Sequence, residues 1–341
     1  MHINLQNTTH NKQTDLMLQN IISMLETAFP ARIRSFYIEG SYANSSDVGS
    51  SDIDLVVIFR NQFVDAQEQE SATHLALQFA RDNVIELDLE IVDERKLADG
   101  VCPALKLGSL LLYGENIRGQ FSLIPLEVWT RDRMHSSYWR TVKLFNRPLP
   151  IRYPLNYPDP TSEFYGYNRR KLRLSNGHEV PCTRDLIRLV GWSATALLAL
   201  KHGVYVARKS DCHQLYQTYF HDEWGQLLQD IYEQCRVQWN YLIPENPRER
   251  QMLRMICERT LAFENHFLLL YKDYVLSELT RDDVQGQQSA RRILEQLPFD
   301  DEDIKKLNRQ YTFYQVAIPL ESAPYQCVAH PYRQFQKRHS R

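Results

Sequence analysis

Residues 38–59 constrain this chain more than any other stretch. They read as a strand, a Gly40-Ser41 turn, a polar loop, and a second strand that opens on Asp52-Ile53-Asp54. Alternate side chains of a strand share a face, so Asp52 and Asp54 converge on one side while Ile53, Leu55, Val57 and Phe59 face a core. Two convergent carboxylates beside a Gly-Ser turn suit a divalent cation and a bound phosphate chain. Glycine lets the backbone approach phosphate closely, and the serine hydroxyl and turn N–H groups can donate to its oxygens.

A second acidic strand follows. Residues 84–92 alternate strictly, with Ile85, Leu87, Leu89 and Ile91 on one face and Glu86, Asp88 and Glu90 on the other. Three acids on one strand face repel one another unless a metal ion or basic side chains compensate them. A solvated face on an edge strand is the other reading. Around these two strands the pattern predicts a strand at 33–39, another at 109–114, and a helix at 65–81. A first helix carries Leu18, Ile21, Ile22, Leu25 and Phe29, with Thr14 or Asp15 as its cap and Pro30 beyond its end. Residues 1–13 read as a frayed polar end. Four strands with intervening helices predict an α/β (α+β) domain with a small mixed sheet, over residues 14–122.

Beyond it the character changes. A helix is expected at 125–145, and residues 147–170 are too rich in proline and tyrosine for a regular element. They are expected to pack as a long loop, in a connecting region that spans 123–181. Helices are then expected from Thr183, from Ser210, at 227–235, at 248–279 and at 287–297, which together predict an α-helical bundle domain over 182–300. Residues 301–341 form an extension with a basic end. The six cysteines are scattered with no C-x-x-C pair, which argues against a thiolate zinc site or a disulfide framework and for a reducing cytoplasm. The amino terminus lacks signal-peptide regions, no apolar run is long enough to span a bilayer, and His202, His213, His221 and His266 lack metal-ligand spacing. A net charge of -2 gives no sign of wholesale coating of nucleic acid.

The combination of Gly40-Ser41, Ser51-Asp52-Ile53-Asp54-Leu55 and an acid in a following apolar strand resembles the DNA polymerase β nucleotidyltransferase superfamily. Within it, the strand ending Leu112-Tyr113-Gly114, the helical second half and the basic turn Arg208-Lys209-Ser210-Asp211 resemble bacterial aminoglycoside adenylyltransferases of the streptomycin/spectinomycin type. That resemblance implies that Asp52, Asp54 and Asp88 bind Mg²⁺, with Asp88 also serving as general base. It implies that Gly40, Ser41 and Lys209 bind the nucleotide. Glu86 and Glu90 share a face with Asp88 and remain alternatives for the third acid. The expected reaction moves a nucleoside monophosphate, AMP from ATP, to a hydroxyl of a small acceptor such as an aminoglycoside, giving antibiotic resistance. A protein or tRNA acceptor, synthesis of a nucleotide second messenger, and a nucleotide-binding regulatory protein on the same fold are the rival readings. The sequence does not specify an oligomeric state.

Overall fold

The computed structural model describes residues 3–48, 51–82, 86–174, 177–280, 287, 291 and 299–306. It is a mixed α/β structure with a small mixed sheet and many helices. The chain divides into two compact units. Among the described residues, the first comprises those up to Trp129 together with the segment Val204–Cys212, and the second comprises Thr130–Gly203 and those from His213 onward.

In the first unit, α1 (Lys12–Ala28) precedes β1 (Ile33–Glu39), and β2 (Ile53–Phe59) is followed by α2 (Ala66–Asp82) and β3 (Leu87–Asp93). The short α3 (Glu94–Leu97) leads to β4 (Leu110–Gly114). The strand order is β3-β2-β1-β4. β1 is antiparallel to both β2 and β4, and β2 is parallel to β3. A parallel pair needs a crossover, which α2 supplies. One sheet face packs Phe36, Ile38, Leu55, Val57 and Leu89 against Leu18, Ile21 and Leu25 of α1 and Ala72 and Ala76 of α2. The other face is also closed: Tyr37, Val56, Ile58 and Val92 meet Leu97, Val101, Leu105 and Ile117. Burial on both faces is why 55–59 reads as an unbroken apolar run rather than an alternation.

Three local expectations change. The cap of α1 is Asn11, whose Oδ1 accepts from the N–H groups of Gln13 and Thr14, each at 3.1 Å. Asp15 instead accepts from the Thr9 N–H and hydroxyl, both at 2.8 Å. The residues expected to fray are docked from residue 3 onward: Ile3 is buried, Gln6 N–H donates to Leu112 O at 2.8 Å, and Asn7 Nδ2 donates to Leu111 O at 2.8 Å. They satisfy backbone carbonyls on the open side of β4, a partner that local sequence cannot reveal. Ser210 does not cap a helix; it lies inside a 3₁₀ turn, Lys209–Asp211.

α4 (Leu126–Lys143) runs from the first unit into the second, where a two-stranded hairpin, β5 (Lys171–Arg173) and β6 (Glu179–Pro181), was not anticipated. Three-residue strands carry too little periodicity to be recognised. α5 (Arg184–His202) closes on Gly203 in the left-handed conformation at φ 66°. α6 (Cys212–Tyr219) and α7 (Trp224–Asp230) follow, and the chain continues as a wider π-type coil over Ile231–Gln238. α8 (Pro247–Leu279) starts on an Asn246 cap with proline in its first turn. The helix expected at 287–297 and the basic end lie outside the described residues, apart from Gln287 and Arg291. The guanidinium carbons of Arg133 and Arg140 both lie over the Trp192 ring, 4.1 and 3.7 Å from its centroid. This contact, together with the ion pair of Arg133 with Asp132, helps to accommodate two nearly buried arginines on one helix face. Among the described residues no helix is long and apolar enough to cross a membrane.

His135 of α4 makes the second unit acid-sensitive. Its Nδ1 lies 2.9 Å from the Tyr271 hydroxyl, its ring packs on Tyr271 and Tyr274 of α8, and Arg131, itself paired with Glu278, stands one turn away. Burial, and then the Arg131 charge, hold its pKa down to about 3. The unfolded chain therefore takes up a proton near pH 6.5 that the folded chain refuses. Stability is full above that pH and falls as the pH drops toward 3. The slope is at most about 1.4 kcal/mol per pH unit, reduced by the part of the residue that reaches solvent. Urea midpoints at pH 7 and pH 5 should differ less in His135→Gln than in wild type; equal differences in the two proteins would refute this origin.

Candidate active site

The acids are placed by strand register. In the antiparallel β1–β2 pair Glu39 stands opposite Asp54, and in the parallel β2–β3 pair Asp54 stands opposite Asp88. Register partners project to the same face, so Glu39, Asp54 and Asp88 form one rung across three strands. Asp52 precedes the start of β2 two residues before Asp54. Glu90 is one step further along, opposite Val56, where the face turns into apolar core. Glu86 lies before β3 and is exposed, and its carbonyl accepts from Ile53 N–H at 2.9 Å. Of the three alternatives on that strand, Asp88 is therefore the one beside Asp54.

The Gly40-Ser41 turn sits against this rung. Residues Gly40–Ala43 form one 3₁₀ turn directly after β1. Gly40 has φ 66°, a conformation that other L-residues resist. A Cβ there would overlap Asp54 Oδ2 and lie 3.1 Å from its Cγ. Glycine is thus required twice, by the backbone and by the approach of the carboxylate. Ser41 is nearly buried, and its carbonyl accepts from Ser46 N–H at 3.0 Å, which curls the following loop back on the turn.

Lys209 reaches the same unit from far along the chain. The segment Val204–Cys212 packs within the first unit: Tyr205 donates to Ile124 O at 2.6 Å, and a Cβ on Gly108 would come within 2.7 Å of Ala207 O. Asn44 Nδ2 donates to Ser210 Oγ at 3.0 Å, so the loop after Ser41 is tied to the turn that carries Lys209. Sequence distance hid this association, because a helix start in the second half gives no sign of belonging to the first unit.

The residue missed by sequence reasoning is Glu39. Burial holds its carboxyl well above the usual carboxylate range; Cys102, Glu90 and Asp54 push the same way, and Lys209 pulls back. Its Oε1 is enclosed without a hydrogen-bond partner. A glutamate at the end of an apolar strand, just before Gly-Ser, was the available signal. Glu90 is pushed up to about 7 by burial and then by Asp88, against Lys96. This end of the sheet concentrates carboxyl groups at the boundary of a closed core. An all-carboxylate donor set fits a hard divalent cation such as Mg²⁺, and the closeness of Asp54 to the Gly40 position shows a carboxylate seated where the Gly40-Ser41 turn begins. The register aligns the acids, but among the described residues no group of three or more His, Cys, Asp or Glu side chains is already closed into a metal-binding cluster.

The Gly40 contact can be tested without any activity. Gly177 also has positive φ, at 83°, but a Cβ there meets nothing within 4 Å. Gly177→Ala should lose about 1–2 kcal/mol from backbone strain alone. Gly40→Ala should lose clearly more, because Asp54 must also move. Chemical denaturation of both variants reads the difference; equal losses would mean that the carboxylate does not press on the turn.

No protein-family model matches the sequence, and no curated protein matches it. Solved structures do. A candidate nucleotidyltransferase from Sulfolobus solfataricus is 18% identical, over 33% of this chain and 88% of its own, with a TM-score of 0.23. Spectinomycin adenyltransferase AAD(9) from Enterococcus faecialis, solved with ATP and spectinomycin, is 12% identical, over 76% of this chain and 99% of its own, with a TM-score of 0.44. The chain is similar in structure to these two proteins.

Proposed function

We propose that this chain is a Mg²⁺-dependent nucleotidyltransferase that moves AMP from ATP to a hydroxyl of a small acceptor, an aminoglycoside in the first instance, and releases pyrophosphate. The observation that carries the proposal is the rung of Asp54 and Asp88 beside Asp52, with the Gly40-Ser41 turn in contact with Asp54. The nucleotide and the acceptor class follow the motif resemblance to the streptomycin/spectinomycin-type enzymes.

Asp52, Asp54 and Asp88 would hold the metal. Bound there, Mg²⁺ would neutralise charge on the triphosphate. The chain's own groups account for the remaining needs. Gly40 admits the phosphate chain close to the backbone, and the Ser41 hydroxyl and turn N–H groups donate to its oxygens. Lys209 adds a point charge for the phosphates from the turn tied to Asn44. Asp88 accepts the proton of the acceptor hydroxyl as its oxygen bonds to the α-phosphorus and the bond to pyrophosphate breaks. Orientation and fixed charge, rather than a covalent intermediate, lower the barrier.

Incubation with labelled nucleoside triphosphates, Mg²⁺ and a panel of aminoglycosides, tRNA and cell lysate is the test. Label on an aminoglycoside supports the proposal, and label on tRNA or on a protein band moves it to a macromolecular acceptor. An oligonucleotide product without acceptor supports second-messenger synthesis. Tight ATP binding with no product in any mixture overturns catalysis in favour of a regulatory role.

A further inference from the structure

The acids assigned to the metal above come from β2, the residue before it and β3. Three observations draw in a fourth acid, from β1. Glu39 is the register partner of Asp54, so the two side chains leave the sheet on one face. Its Oε1 is closed off from solvent, and no described residue donates a hydrogen bond to it. The Asp54 carboxyl lies against Gly40, the residue directly after Glu39. A buried carboxylate oxygen with no donor is an arrangement that proteins avoid unless a cation or a donor joins it in the working state. The nearby positive group, Lys209, is the one that the proposed mechanism directs to the phosphates.

We propose that Glu39 is a further carboxylate of the divalent-cation site, shared with Asp54 across the β1–β2 rung. The inference rests on the nucleotidyltransferase reading of the acids, and it adds a ligand that the motif resemblance does not supply. It also gives a reason for an acidic residue at the end of a strand whose neighbouring positions Tyr37 and Ile38 are fully buried.

The test is Mn²⁺ binding to the full chain without nucleotide, measured by electron paramagnetic resonance, with thermal melts in EDTA alongside. Glu39→Gln keeps the shape and removes the charge. It should bind Mn²⁺ at least tenfold more weakly. In EDTA it should melt no lower than wild type, because Glu39 Oε1 makes no hydrogen bond in the metal-free protein that the substitution could remove. A glutamate with a merely structural role gives the opposite pair: unchanged Mn²⁺ affinity and a lower melting temperature, which overturns the proposal. Asp54→Asn separates the two levels of the argument. If Asp54→Asn loses Mn²⁺ and Glu39→Gln does not, only the role of Glu39 fails. If wild type binds no Mn²⁺, or Asp54→Asn binds it as wild type does, the metal reading of the acids fails as well. Should Glu39→Gln not fold, Glu39→Asp keeps the charge on a shorter arm; wild-type Mn²⁺ affinity in that variant also overturns the proposal.

Discussion

Asp54→Asn is expected to reduce nucleotidyl transfer by about a thousandfold or more while leaving the thermal melt of the protein within a few degrees of wild type. The size follows from position. Asp54 is the middle residue of the rung, with Glu39 opposite on one side and Asp88 on the other, and its carboxyl touches the Gly40 turn. On the proposed reading it would help hold the cation that neutralises the triphosphate, and it would seat the turn. Losses of about 10²–10³ accompany the removal of a single preorganised electrostatic group, and a displaced neighbour adds to that. The fold should survive, because the packing of β2 comes from Leu55, Val56, Val57 and Ile58, all nearly or fully buried. Asp52→Asn should behave alike. Glu86→Gln should retain activity, since Glu86 precedes the strand and is exposed. Release of pyrophosphate, measured with the acceptor found in the labelling experiment, gives the answer. Substantial turnover by Asp54→Asn would remove the acid row from the mechanism.

Arg147→Met is expected to cost about 3–5 kcal/mol of stability, the largest loss for a residue away from the acids. Arg147 and Glu264 form a buried ion pair at 2.6 Å, with side-chain exposures of 4% and 1%. The guanidinium also donates to Thr141 O at 3.2 Å and to Asn156 O, and the Tyr167 hydroxyl donates to the same Glu264 oxygen. Burial pushes the Glu264 carboxyl up, and Arg147 and Tyr167 pull it back. Without Arg147 a carboxylate stays buried with most of its compensation gone. The pair also explains the proline- and tyrosine-rich segment. Residues 147–167 are held onto α8 by this cluster, by Leu155 N–H donating to Asn265 Oδ1 at 2.6 Å, and by the buried rings of Phe164 and Tyr167. The loop is packing material, as its composition suggested, but its anchor is ionic. Arg147→Met combined with Glu264→Met should recover much of the loss, as exchange of both charged partners for apolar side chains often does. Urea denaturation of the two single variants and the double variant measures it. A double variant no more stable than the singles would show that the pair is not the anchor.

Strand positions in the first unit were legible because each carries its own period. Strands expected at 33–39, 52–59 and 109–114 appear at Ile33–Glu39, Ile53–Phe59 and Leu110–Gly114. The helix expected at 65–81 appears at Ala66–Asp82. The third strand, expected at 84–92, appears at Leu87–Asp93, and residues 84 and 85 of its expected span lie outside the described residues. Long helices such as α5 and α8 were legible for the same reason. The hairpin β5–β6 and the Asn11 cap were not, since one is too short for a period and the other competes with Thr14 and Asp15 for the same role.

By itself the sequence determined which residues could carry the chemistry: Gly40-Ser41, Asp52, Asp54 and an acid on the third strand, all visible as local spacing. Only the tertiary structure decided how they are combined. Register across hydrogen-bonded strands selects Asp88 as the neighbour of Asp54 and brings in Glu39 from a strand that carries no motif of its own. The docking of Val204–Cys212 brings Lys209 to the same unit from the far end of a helix. The physical reason is common to both. Spacing along a strand or helix is set by backbone geometry within a few residues, whereas pairing between segments is set by which hydrogen bonds and apolar contacts close best, and no single segment contains that information.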